Sequence, residues 1–140
     1  MTMDFETTVE WSGSYPASLS CQNGMSAEYN IPVEFGGAKG FLTPEDAFVG
    51  AANTCFQIIF VGVAKSLGIS VAAYRCKAVG ILDSVEGVRR FVSIDLHPEI
   101  RFHRPVESER LQKALETAKR KCLVTNSMSV EVRVFPVTVG

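Results

Sequence analysis

The chain has 140 residues, enough for one domain with a real hydrophobic core, and 46% of them are hydrophobic. Fourteen basic and 15 acidic side chains leave a net charge of −1. That balance argues against nucleic acid, whose partners carry a basic excess or a basic face. The opening residues Met1 to Glu6 have neither a positive region nor an apolar run, which predicts no signal peptide and a cytoplasmic location. The most apolar stretch, Phe56 to Ala64, is far shorter than a bilayer span, so no membrane partner is expected.

In chain order, Phe5 to Trp11 alternates loosely and predicts a first strand. Ala17, Leu19 and Cys21 alternate with Ser18, Ser20 and Gln22, and Asn23-Gly24 then signals a hairpin turn. The return strand runs from about Ser26 to Val33 and enters a glycine-marked loop. Thr43-Pro44-Glu45-Asp46 predicts a helix start: a capping hydroxyl, a proline suited to the first helical position, and two acids at the positive end. This helix should run to about Leu67 and stop at Gly68. It has almost no polar face, which predicts burial on most sides, and Gly50, Ala51 and Ala52 permit close approach of another backbone.

Two long strands follow, about Ser70 to Asp83 and Arg89 to Phe102, turning near Glu86-Gly87. A second helix covers roughly Glu107 to Lys121, with Leu111, Ala114, Leu115 and Ala118 forming its apolar stripe. An alternating strand over 129–139 closes the chain. The expected fold is α+β, a single domain over 1–140 in the order βββ-α-ββ-α-β. The central helix is too apolar for one small sheet to cover, so a second subunit should complete the core.

Four cysteines in a chain expected to stay reduced need individual explanations. Cys55 alone reads as a small buried hydrophobe on the apolar helix. Cys122 sits where the second helix ends, and a helix C-terminus disfavours a thiolate, which suits a resolving thiol better than an attacking one. Cys21 and Cys76 share faces with apolar strand neighbours and read as core or sheet residues. His97 and His103 lack a ligand cluster, there is no Cys-X-X-Cys, and no phosphate-loop or dinucleotide motif occurs, so neither metal nor cofactor is expected. Ser127 and Ser129 have no identifiable His–Asp partners.

Two segments carry a resemblance. Pro44-Glu45-Asp46-Ala47-Phe48 followed by Gly50-Ala51-Ala52-Asn53-Thr54-Cys55-Phe56 resembles the central helix of the OsmC and organic hydroperoxide resistance family. Glu45 and Cys55 keep that family's ten-residue interval, and Ala118 to Ser127 is similar to its second-cysteine segment. The resemblance implies an intertwined homodimer with active sites at the interface. It implies Cys55 as the attacking thiolate on an organic hydroperoxide, Cys122 as the thiol that condenses with the resulting sulfenic acid, and an external thiol as reductant. Glu45 is implied as an orienting carboxylate. Ten residues of helix rise roughly 15 Å, so Glu45 would reach a Cys55 of the other subunit, or its own through an intermediary.

The chain departs from that pattern in two places. Peroxidase members use an arginine from the N-terminal strands to stabilise the thiolate, whereas the first arginine here is Arg75. Lys39, Arg101, His103 and Arg104 are the candidate replacements, with His97 and His103 otherwise reading as exposed strand-end residues. Leu123 stands where many members have proline. The alternative to a peroxidase is therefore a non-catalytic redox-sensing or small-molecule-binding dimer that keeps both thiols; a purely structural role for the cysteines is the third reading.

Overall fold

A computed structural model describes all residues from Met1 to Gly140. Seven strands and three helices follow in the order β1 (Thr7–Glu10), β2 (Ala17–Cys21), β3 (Ser26–Tyr29), α1 (Pro44–Ser66), β4 (Val71–Val85), β5 (Val88–Phe102), α2 (Ser108–Lys121), α3 (Leu123–Asn126), β6 (Glu131–Val134) and β7 (Val137–Thr138). A 3-10 turn, Val33–Phe35, precedes α1. The chain divides into two compact units, Met1–Phe48 and Val49–Gly140, and the boundary falls inside the continuous helix α1.

The first unit is an antiparallel sheet in the order β1-β2-β3. Val9 lies opposite Leu19, and Leu19 opposite Ala27. β3 ends at Tyr29 rather than Val33, because Asn30, Pro32 and the 3-10 turn redirect the chain. Only Ala17, Asn30 and Thr43 are buried in this unit, while Phe5, Val9, Trp11, Tyr15 and Met25 are exposed, Trp11 by 58%. Three short strands with almost no buried apolar face supply little of the stabilisation that a sheet requires.

The second unit is built on β5, which is antiparallel to β4 and parallel to β6 and β7. The parallel pairing needs a crossover, and α2 supplies it. Glu86 (φ 52°) and Gly87 (φ 80°) make the two-residue turn between β4 and β5, with both positions in the left-handed region that such a turn demands. The closing strand is split in two, a correction to the single strand expected from alternation. Phe135 N–H still donates to the Leu96 carbonyl (2.8 Å), but Pro136 has no N–H to continue the ladder. On the same sheet Arg133 makes a paired contact with Asp95 (2.7 and 2.9 Å), directly opposite it in the register.

One face of this sheet contributes Ile94, Leu96, Pro98 and Ile100 to the core, and α2 contributes Ala114, Leu115 and Ala118. From α1 come Ala52, Phe56, Phe60 and Ala64, a stripe at four-residue spacing. Phe60 stacks near Phe56 (6.2 Å between centroids) and against Tyr74 of β4 (6.0 Å). Gly80 permits this approach: a Cβ there would come within 2.5 Å of Val49 Cγ2 and 2.9 Å of Phe91 Cε1.

The burial expected on most sides of α1 is not found within one chain. A single sheet layer covers a single stripe, and the opposite stripe, Ala47, Thr54, Ile58 and Gly62, is exposed, Ile58 by 64%. As formed, α1 is also longer than its Phe56–Ala64 centre. Its 23 residues have the length and apolar composition of a bilayer span, although one stripe serves as core.

Candidate functional site

Helix α1 starts as its sequence requires. The Thr43 hydroxyl accepts from the Asp46 N–H (3.0 Å) and donates to the Asp46 carboxylate (2.8 Å), and the Thr43 carbonyl accepts from the Ala47 N–H (2.9 Å). This fixes Glu45 in the first turn. Its Oε1 is buried without a hydrogen-bond partner. A carboxylate oxygen removed from water and left unpaired is costly, so this atom calls for a donor.

Cys55 lies three turns further on, half-buried and adjacent to the stripe that packs on the sheet. Asn53, two residues earlier, ties the helix to β4 by donating from Nδ2 to the Cys76 carbonyl (3.2 Å). Cys122 is fully buried. It closes α2, its N–H donating to the Ala118 carbonyl (2.9 Å), and it also caps α3, its carbonyl accepting from the Asn126 N–H (3.0 Å). The sequence reading saw only the first of these roles. The second makes Cys122 the corner between α2 and α3.

The two thiols are neighbours, and both are free. Burial pushes the Cys55 thiol up from its ordinary value; Val124 pulls it down through the backbone, Cys122 raises it as a hydrogen-bonded and potentially charged neighbour, and Leu123 lowers it through the backbone. No cation is among the groups that shift the Cys55 thiol. Lys39, Arg101, His103 and Arg104, the replacements expected from sequence, are all exposed. Nor does α1 bring Glu45 to Cys55: ten residues of one continuous helix separate them by roughly 15 Å.

Cys55 therefore has Cys122 as a neighbouring thiol. Sequence reasoning missed the short helix α3 after Cys122, whose four residues are too few to show a period. Cys21 and Cys76 are half-buried strand residues, as expected. Cys76 lies beside Tyr74 on one face of β4, and burial raises both groups. No group of three or more His, Cys, Asp or Glu side chains is placed to hold a metal ion.

Chemically, a half-buried thiol beside a second, fully buried thiol is an arrangement that can cycle between dithiol and disulfide. Comparison with known proteins agrees with this architecture. A family model described as OsmC-like protein matches residues 36–135. The chain is similar to the structure of an OsmC-like protein of unknown function from Vibrio cholerae, with a TM-score of 0.90 and 21% identity over 97% of this chain and 100% of that one. It is similar to an organic hydroperoxide resistance protein from Elizabethkingia anophelis, with a TM-score of 0.82 and 23% identity over 99% of each chain. An organic hydroperoxide resistance protein from Legionella pneumophila gives a TM-score of 0.79 and 20% identity, again over 99% of each chain. At these identities the likeness shows the fold, the mixed α+β arrangement expected from sequence. No curated protein sequence matches the chain.

Proposed function

The chain belongs to the OsmC-like protein family, and from that premise we propose that it is a thiol-dependent peroxidase that reduces organic hydroperoxides through Cys55 and Cys122. The observation that carries this reading is the pairing of a half-buried Cys55 with a fully buried Cys122. The more accessible sulfur is the one a peroxide meets first. Its thiolate attacks the distal peroxide oxygen, the O–O bond breaks, and the alkoxide takes a proton and leaves as an alcohol. Cys55 becomes a sulfenic acid, oxidised by two electrons while the peroxide is reduced by two. Cys122 then attacks the sulfenic sulfur, its proton leaves with the hydroxyl as water, and a Cys55–Cys122 disulfide remains. An external thiol reduces that bond in two exchange steps and is itself oxidised to a disulfide.

The reading includes a homodimer. The bare stripe of α1, the first unit with little core, and the unpaired long edge of β4 are surfaces that a second copy can cover and pair with. Glu45 acts in this scheme from the partner subunit, where its unpaired oxygen finds the donor it lacks within one chain. The setting is the cytoplasm, the reaction needs no metal or organic cofactor, and neither nucleic acid nor a membrane is a partner.

The N-terminal strands carry no arginine, which favours a second reading, a redox-sensing or small-molecule-binding dimer that keeps the thiol pair without fast turnover. Turnover separates the two. With cumene hydroperoxide and excess dithiol, the peroxidase consumes many equivalents of peroxide per chain and Cys55→Ser consumes none. A protein that stops after one equivalent is a sensor.

A further inference from the structure

Val49, Asn53 and Phe60 of α1 all meet β4. Val49 packs over Gly80, and the ring of Phe60 lies 6.0 Å from that of Tyr74. Between these contacts Asn53, half-buried, donates from Nδ2 to the Cys76 carbonyl (3.2 Å). The two apolar contacts have no preferred direction, so neither fixes the rotation of α1 about its own axis. A hydrogen bond is directional and does fix it. The acceptor is available because of the sequence on β5. Cys76 lies opposite Pro98 in the register, and proline has no N–H to give across the ladder.

Two residues of helix turn the chain by about 200°, so Asn53 and Cys55 project from nearly opposite sides of α1. The bond that holds one side to β4 therefore sets where the other side presents its sulfur. Side chains stand about 5–6 Å from a helix axis, and a rotation of about 10° moves that sulfur by roughly 1 Å. A disulfide forms only in a narrow range of distance and torsion, and a misplacement of this size can slow a positioned reaction by about 100-fold. We propose that Asn53 is a positioning residue for the thiol pair: its bond to the Cys76 carbonyl sets the rotation of α1 at which Cys55 meets Cys122. The inference rests on the pairing of Cys55 with Cys122 in the proposed function, and not on peroxide as the oxidant.

The test replaces Asn53 and reads the thiol pair itself. The full chain is equilibrated with reduced and oxidised glutathione, and the Cys55–Cys122 disulfide is quantified by peptide mass spectrometry. This gives the effective concentration of one thiol towards the other. Asn53→Ala should lower that concentration about tenfold relative to wild type. Thr43→Ala, which removes a hydrogen bond from the start of the same helix, should leave it unchanged. A folded Asn53→Ala protein that closes as well as wild type overturns the inference. So does an equal fall in Thr43→Ala, which would make the effect one of stability alone. Should Asn53→Ala not fold, Asn53→Gln keeps the amide on an arm one methylene longer. It should lower the value about threefold, and a wild-type value there overturns the inference. Wild-type closure without peroxide turnover removes the peroxidase reading and leaves the role of Asn53 standing. A wild type that forms no disulfide removes both.

Discussion

Replacing Ile58 with aspartate should split the proposed dimer while leaving the single chain folded. Ile58 is 64% exposed, so within one chain only about a third of its burial energy is realised. Full burial of such a side chain is worth about 1.5–3 kcal/mol, and covering the remaining 64% therefore contributes about 1–2 kcal/mol per subunit. A symmetric interface counts the residue twice, giving about 2–4 kcal/mol, or roughly a 30- to 700-fold weaker dissociation constant. The introduced carboxylate adds to this loss, because a charge buried in an apolar interface without a partner is unfavourable. Sedimentation equilibrium of wild type and Ile58→Asp over a range of concentrations measures the change, with the circular dichroism spectrum as the check on folding. A wild-type protein that is a well-folded monomer at micromolar concentration refutes the reasoning. So does an Ile58→Asp variant that dimerises as tightly as wild type.

Four further outcomes are expected. Phe60→Ala removes a fully buried ring packed near Phe56 and Tyr74, and should cost about 3–5 kcal/mol in denaturant unfolding. Gly80→Ala places a methyl group against Val49 and Phe91 and should cost about 1–3 kcal/mol by the same measurement. Thr43→Ala deletes the cap of α1 and should cost about 1 kcal/mol, with little effect on alkylation of Cys55. Because burial and Cys122 raise the Cys55 thiol in the folded chain, the thiol form dominates below its folded midpoint. Single-turnover peroxide consumption should therefore rise with pH as the thiolate appears, and a rate that falls from neutral to alkaline pH contradicts the assignment.

The parts of this fold that were legible in sequence are those where a local signal coincides with a tertiary need. Thr43-Pro44 marks a helix start because a hydroxyl cap and a fixed φ serve any helix. Glu86-Gly87 lies at the centre of an otherwise continuous alternating run, and β4 and β5 pair on either side of it. The end of the chain was less legible. Alternation over 129–139 carries on through Pro136, but the ladder does not, since the missing N–H affects pairing and not hydrophobic pattern.

The site divides in the same way. Cys55 and Cys122 were identified through two matched segments and not through periodicity, which reads Cys55 as one more apolar residue of α1. The four-residue helix after Cys122 is too short to show a period, so the corner that Cys122 forms between α2 and α3 was hidden. The apolarity of α1 was clear, but sequence cannot divide it between one sheet and another chain. Within one chain the division is visible: Ala52, Phe56, Phe60 and Ala64 are covered, and Ile58 is not.

The central claim is that Cys55 and Cys122 form one redox pair, and the most direct measurement is a single oxidation followed by peptide mapping. Reduced protein is treated with one equivalent of cumene hydroperoxide per chain, digested, and examined by mass spectrometry. Rapid loss of the peroxide and a Cys55–Cys122 disulfide are expected, with Cys122→Ser arresting Cys55 as a trappable sulfenic acid. Unreacted peroxide with both thiols still free would contradict it.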